Sequence, residues 1–217
     1  MSTTQADKLA YCKCMDQLSR RLRLIGSFVA GKWTTGDEAA DAEFACLQLR
    51  KALEQLAYSA LAASRERYSQ ARPQVESEWS AKRILERVEK IHPHFYPLPV
   101  RPVRLGPNRV HFEVVADGFL TRDEFVFLYD KCSDVIHDWN PFREGPLIVH
   151  FDRPIVEWAQ RIDNLLAFHR VRLVDQTDIL VVELRDASGK AHVLTATPQE
   201  PGGSDGAAEQ GVEADEA

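Results

Sequence analysis

Between Asp37 and Tyr68 the chain runs for more than thirty residues without a glycine or a proline. No other feature restricts the fold as much. Thr35 followed by Glu38 has the spacing of a capping box, in which each side chain satisfies a backbone N–H of the other's residue, and so marks a helix start. Phe44, Leu47, Leu49, Leu53, Leu56, Ala57, Ala60 and Leu61 then cover more than a narrow stripe of that helix. A helix apolar around much of its circumference belongs in the middle of a bundle. The expectation is therefore a helical protein built around this segment.

The flanking sequence supplies the rest of the bundle. Leu9, Cys12, Met15, Leu18, Leu22, Leu24, Ile25 and Val29 recur at helical spacing, which predicts a first helix over about residues 8–30, broken at Gly31-Lys32-Trp33. Arg20, Arg21 and Arg23 in its second half read as a solvated face near the negative end of the helix dipole. Trp79, Ile84, Leu85, Val88 and Ile91 predict a third helix over about 75–91, stopped at His92-Pro93 because the residue before proline avoids the helical region. Thr121 with Glu124 repeats the capping-box spacing. Phe125, Phe127, Leu128, Cys132, Val135 and Ile136 then form the apolar face of a fourth helix, ended by Asn140-Pro141. A fifth is expected from Arg153 to Phe168, with Asp152 as N-cap, Pro154 in the first turn and a core face of Ile155, Trp158, Ile162, Leu165 and Leu166.

Two regions are β-like. The stretch from His92 to Val115 carries five prolines. It reads as an extended strap or small ribbon across the helices, turning at Gly106-Pro107-Asn108 into the alternating Val110–Val114. Near the C-terminus, 171–174, 179–184 and 191–196 are rich in Val, Leu and Thr, and the last two flank the turn sequence Asp186–Gly189. The expected fold class is thus mainly α: a bundle of about five helices with a proline-rich strap and a C-terminal β-hairpin at 171–197. Residues 1–197 form a single domain in this reading.

Charge narrows the function classes. The formal net charge of -6 comes from residues 198–217, where Glu200, Asp205, Glu209, Glu213, Asp215 and Glu216 meet no Lys or Arg. Without that Gly- and Ala-rich tail, expected to be disordered, acids balance the 27 Lys and Arg, so no global field draws in nucleic acid. No segment approaches a membrane span, and no apolar signal core follows a basic N-terminus. Four scattered cysteines make no disulfide framework. A cytoplasmic protein with no membrane partner is expected. Cys12-x-Cys14 lacks a second Cys or His pair at zinc spacing, and there is no glycine-rich phosphate loop and no nucleophile elbow. Histidines such as His92, His94 and His150, at helix ends and loops, read as locally bonded, so neither a metal nor a cofactor is assigned.

The segment Lys131-Cys-Ser-Asp-Val-Ile-His137, the long apolar second helix and the helical body resemble the HEPN superfamily of bacterial RNases and their inactive relatives. The motif of that family is an Arg, usually followed by a polar residue, with a His four to six residues further on. Here Lys131 stands for the Arg and Cys132 for the polar residue, with Ser133 following. The resemblance implies metal-independent RNA cleavage in a toxin or defence system. His137 would be the general acid or base and Lys131 the stabiliser of phosphate charge, with Ser133 beside them. Arg50 and Glu54, an i,i+4 pair on the second helix, become further site candidates if they are buried. The resemblance also implies RNA as a partner and a site completed across a homodimer. The alternative is a non-catalytic protein of the same shape that binds another protein, as an antitoxin or scaffold does.

Overall fold

The computed structural model describes residues 5–63, 80–106, 109–137, 142, 149–172 and 179–196. Five helices and five strands lie in these segments: α1 (Gln5–Val29), α2 (Glu38–Ala62), α3 (Ala81–Ile91), β1 (Leu98–Gly106), β2 (Arg109–Val114), α4 (Arg122–Ile136), α5 (Ile155–Leu166), β3 (Phe168–Arg172), β4 (Ile179–Glu183) and β5 (His192–Ala196).

As its composition requires, α2 is the central rod, touching all four other helices. Leu49, Ala52, Leu53, Leu56 and Ala57 are all at most 1% exposed. The turn from α1 into α2 has a definite mechanism. Gly31 adopts φ 69°, a conformation only glycine takes at no steric cost. Its N–H bonds the Phe28 carbonyl (2.9 Å) and that of Lys32 bonds Ser27 (3.1 Å). Together these satisfy the last carbonyls of α1 in a Schellman motif. Trp33 then folds back on Phe28 and Phe44, at ring separations of 5.0 and 4.5 Å. The N-cap of α2 is not Thr35 but Asp37, whose carboxylate accepts from Ala40 N–H at 2.8 Å. Thr35 is drawn instead to Asp41, which takes both its N–H (2.8 Å) and its hydroxyl (2.7 Å).

The strap and the C-terminal hairpin are not separate. Leu98 pairs with Arg170 and Pro99 with His169, which joins the β1–β2 ribbon to β3–β4–β5 in one antiparallel sheet of order β2-β1-β3-β4-β5. Five strands, not a hairpin, therefore accompany the helices. These partners lie about seventy residues apart, beyond any local pattern. The run Ile179-Leu-Val-Val182 is buried on both faces of β4, as an unbroken apolar strand must be. Leu180 and Val182, with Val171 of β3, join the helical core. Ile179 and Val181 form a second small core with Ala196, against Phe112, Phe168 and Leu194.

Several boundaries differ from expectation. α4 stops at Ile136 rather than at Asn140-Pro141, which lies outside the described residues. α5 begins after Pro154, two residues beyond Asp152, and the Pro154 carbonyl caps it through Glu157 and Trp158 N–H (3.0 and 3.2 Å). β3 starts at Phe168, because Ala167 alone separates it from α5. The end of the α2 pattern near Tyr68, residues 75–79 at the expected start of the third helix, Trp79 among them, the turn residues Pro107 and Asn108, and the tail at 198–217 also lie outside the described residues. Within those residues, no helix is long and apolar enough to cross a membrane.

Candidate functional site

The sequence candidates gather along the contact between α2 and α4. α4 is fixed at its start by the capping box: Thr121 Oγ1 accepts from Glu124 N–H (3.2 Å), and the Glu124 carboxylate accepts from Thr121 N–H (2.9 Å). The same carboxylate receives Arg161 at 2.8 Å. Partial burial works against ionisation there, but these bonds from Thr121 and Arg161 outweigh it and hold the carboxyl below the usual range. The helix start is thereby anchored to α5. Phe125, Leu128, Tyr129 and Cys132 turn inward. Phe127, expected on that face, is 37% exposed and lies 5.9 Å from the Trp158 ring.

Arg50 occupies the centre of the α2–α4 seam. Its Nε donates to Glu54 (3.4 Å), one Nη donates to the Ser133 hydroxyl, and the other donates to the Tyr129 hydroxyl (2.9 Å). The guanidinium carbon is 4.4 Å from the Tyr129 ring centre. Ser133 in turn donates to the Tyr129 carbonyl one turn back (2.7 Å). Arg50 and Glu54 are each only 22% exposed, so this is a half-buried cross-link between helices rather than a solvated surface pair. A guanidinium carries five N–H donors. Three are engaged here by described residues, and the remaining two sit on the terminal nitrogens, where a fork of donors meets a carboxylate or phosphate best. One turn deeper, Cys46 and Cys132 face each other, and both are buried. Their hydrogen bond, then burial, pushes the Cys132 thiol up, so it stays protonated.

Tyr129, Ser133 and His137 follow each other at intervals of four, the spacing of one helix stripe. His137 is the C-cap of α4, with extended φ -93° and ψ 135°, and is exposed. It stands at the open end of the stripe that Arg50 grips. Lys131 does not share that stripe. Two residues from both Tyr129 and Ser133, it lies roughly 200° around the helix, with its ammonium 5.6 Å from the Phe127 ring. The structure therefore brings together Arg50, Glu54 and Ser133, sets His137 next in line, and separates Lys131 from all of them. The spacing of Tyr129 to Ser133 was the available clue to Tyr129. Its partner on α2, 79 residues away, left no local trace.

A second polar group was invisible in the sequence. His169 is fully buried, with Nδ1–H donating to the Leu166 carbonyl (2.9 Å), so that Nε2 accepts from the Tyr11 hydroxyl at 2.8 Å. Burial pushes Tyr11 up and lowers His169 to about 4. This pair is neutral and closed to solvent, and it ties α1 to β3. His150 and Asp152 are exposed. Among the described residues, no three His, Cys, Asp or Glu side chains are grouped to hold a metal. Comparison of the chain with protein-family models, with curated proteins and with solved structures returns no match.

Proposed function

We propose that the chain is a HEPN-like helical protein that cleaves RNA without a metal, with its reacting groups on the α2–α4 seam. One observation carries this reading. Four of the five residues chosen from the sequence, Arg50, Glu54, Ser133 and His137, lie along one seam, with an engaged guanidinium inside and an exposed imidazole at its open end. His137 takes the proton of a ribose 2′-hydroxyl, whose oxygen then bonds to phosphorus as the bond to the 5′-oxygen breaks. A second acid protonates that leaving oxygen, and a 2′,3′-cyclic phosphate remains. The two remaining N–H donors of Arg50 take the charge that develops on the phosphoryl oxygens, a task for which the planar fork suits Arg better than Lys. Glu54, Tyr129 and Ser133 position that fork. One chain offers one such imidazole, so a second proton-transfer group comes from a second copy in a homodimer. A cytoplasmic location goes with this reading.

The test is cleavage of a mixed-sequence single-stranded RNA by the full chain. His137→Ala lowers the rate by about a hundredfold or more with helical circular dichroism unchanged, and Arg50→Lys lowers kcat. Lys131→Ala, away from the seam, changes it less than about threefold. A second reading, a non-catalytic protein of antitoxin or scaffold type, draws on the exposure of His137 and on the engagement of Arg50 by three protein groups. Absence of cleavage by the unmodified chain, with growth on overexpression indifferent to His137→Ala, selects that reading.

A further inference from the structure

The two ends of the sheet differ. At one end α1 lies against β5, and Ala191 N–H, just before that strand, donates to Asp16 at 2.8 Å. At the other end β2 is outermost, with β1 on one side and no strand of the described residues on the other. The phase of the ladder tells which of its backbone groups are left over. Val115 N–H bonds the Pro99 carbonyl at 3.1 Å, and an antiparallel ladder alternates residue by residue. Glu113 and His111 therefore also turn their N–H and C=O toward β1, while Val114, Phe112 and Val110 turn theirs outward. The position of Pro102 agrees, since it lies opposite Phe112, where that ladder needs no donor and proline has none. No proline or lysine interrupts 110–114, and the register shift of the ribbon falls outside it, between Arg104 and Gly106. The usual devices that blunt an exposed edge are missing from this stretch.

We infer that β2 is a dimerisation edge, on which a second copy of the chain pairs antiparallel about Phe112 and makes one sheet of two. The occupant follows from the strand's own sequence, which complements itself when reversed. Turned about Phe112, a copy sets Val110 against Val114 and His111 against Glu113. The valines share a face with Phe112, whose ring packs against the small core of Ile179, Val181 and Ala196. Val114, 54% exposed, thereby gains an apolar neighbour. On the other face the His111–Glu113 pairs take the closely spaced, non-hydrogen-bonded positions, where opposite polarity stabilises a sheet. Glu113 holds Arg101 at 2.5 Å and still has acceptor capacity for an imidazole N–H. Sliding the copy by two residues sets Glu113 against Glu113 or His111 against His111, so the register is specified. This interface goes beyond the RNA reading and does not rest on it.

The experiment is sedimentation equilibrium of the full chain, without RNA, from roughly 1 to 300 μM, the range suited to a small interface. The mass rises from that of one chain to that of two. Val114→Pro removes an outward N–H and no bond to β1, and weakens association about tenfold or more. His111→Glu and Glu113→Lys each weaken it too, by setting like charges across the edge. Mixing these two variants restores association, because the new carboxylate meets the new ammonium. Thermal transitions of the dilute variants stay near that of the parent, which excludes unfolding as the cause. In the parent, the Phe112 and Val114 amides exchange hydrogen more slowly as concentration rises. A single-chain mass throughout overturns the inference. So does a dimer indifferent to Val114→Pro and to the charge exchange, since it is held elsewhere. Protection of the Phe112 and Val114 amides that persists on dilution also overturns it, because another part of the same chain then covers the edge.

Discussion

Acid acts on this fold through one buried imidazole. The His169 pKa is lowered to about 4, against 6.5 for the exposed group, because the ring is fully buried and its Nε2 must remain an acceptor for Tyr11. As pH falls, the unfolded chain therefore takes up this proton first. The stability due to a neutral His169 is complete above pH 6.5, declines through the interval below it, and is gone once pH passes about 4. The gap of about two and a half units, at roughly 1.4 kcal/mol per unit, amounts to about 3 kcal/mol. That is a large part of a typical domain's margin of 5–15 kcal/mol. Bonded carboxylates such as Asp186, held below its ordinary value first by its bond from Ser188, add an acid dependence of their own at the low end, so the effect is read as a difference between two proteins. Urea unfolding followed by circular dichroism is measured for the parent and for His169→Gln from pH 8 to pH 4. Near neutrality the variant is less stable by about 2 kcal/mol, having lost the bond to Tyr11. The difference between the two stays flat above pH 6.5 and shifts by about 3 kcal/mol in favour of the variant by pH 4. A difference constant across the whole range refutes the neutral buried imidazole.

Two further measurements follow from the α4 region. Thr121→Ala removes one half of the capping box and costs about 1 kcal/mol, a fall of about 2–4 °C in Tm. Glu124→Ala costs more, since it also leaves Arg161, 17% exposed, without its carboxylate. Of the four thiols, Cys46 and Cys132 are buried whereas Cys12 and Cys14 are partly open. An aromatic disulfide reagent therefore titrates two groups per folded chain and four after denaturation; four fast groups in the native protein contradict the packing of α2 on α4.

What could be read in advance follows the range of each interaction. The helices and the turn at Asp186–Gly189 depend on neighbours a few residues away, so periodicity and turn chemistry revealed them. In that turn Gly189 takes φ 78°, and its N–H bonds the Asp186 carbonyl (2.9 Å). The capping boxes show the limit. Thr121 and Glu124 behave as spaced, but at the start of α2 a nearer acid, Asp37, wins the cap and leaves Thr35 to Asp41. At the candidate site, Arg50 and Glu54 were visible as a pair on one helix. Their meaning comes from Tyr129 and Ser133, 79 and 83 residues on, and Lys131 fell on the far side of the helix that a linear motif cannot display. The sheet escaped notice for the same reason, since a strand announces its own pleat but not its partner.

The polar face of α1 has a consequence in time. Tyr11 bonds His169, Asp16 accepts from Ala191 N–H at 2.8 Å, and Ser19 accepts from Arg185 at 2.9 Å. Each partner lies 158 to 175 residues downstream. During synthesis at about 5–20 residues per second, the first helix waits roughly ten to thirty seconds for them. In that interval α1 can pair with α2, and α2 with α3 and α4 as they emerge, while the parts of α1 that α5 and β5 cover stay open to water. The earliest segment made is the last to be completed, so the newborn chain carries an uncovered apolar surface on its first helix through most of its synthesis, a target for whatever shields such surface at the ribosome.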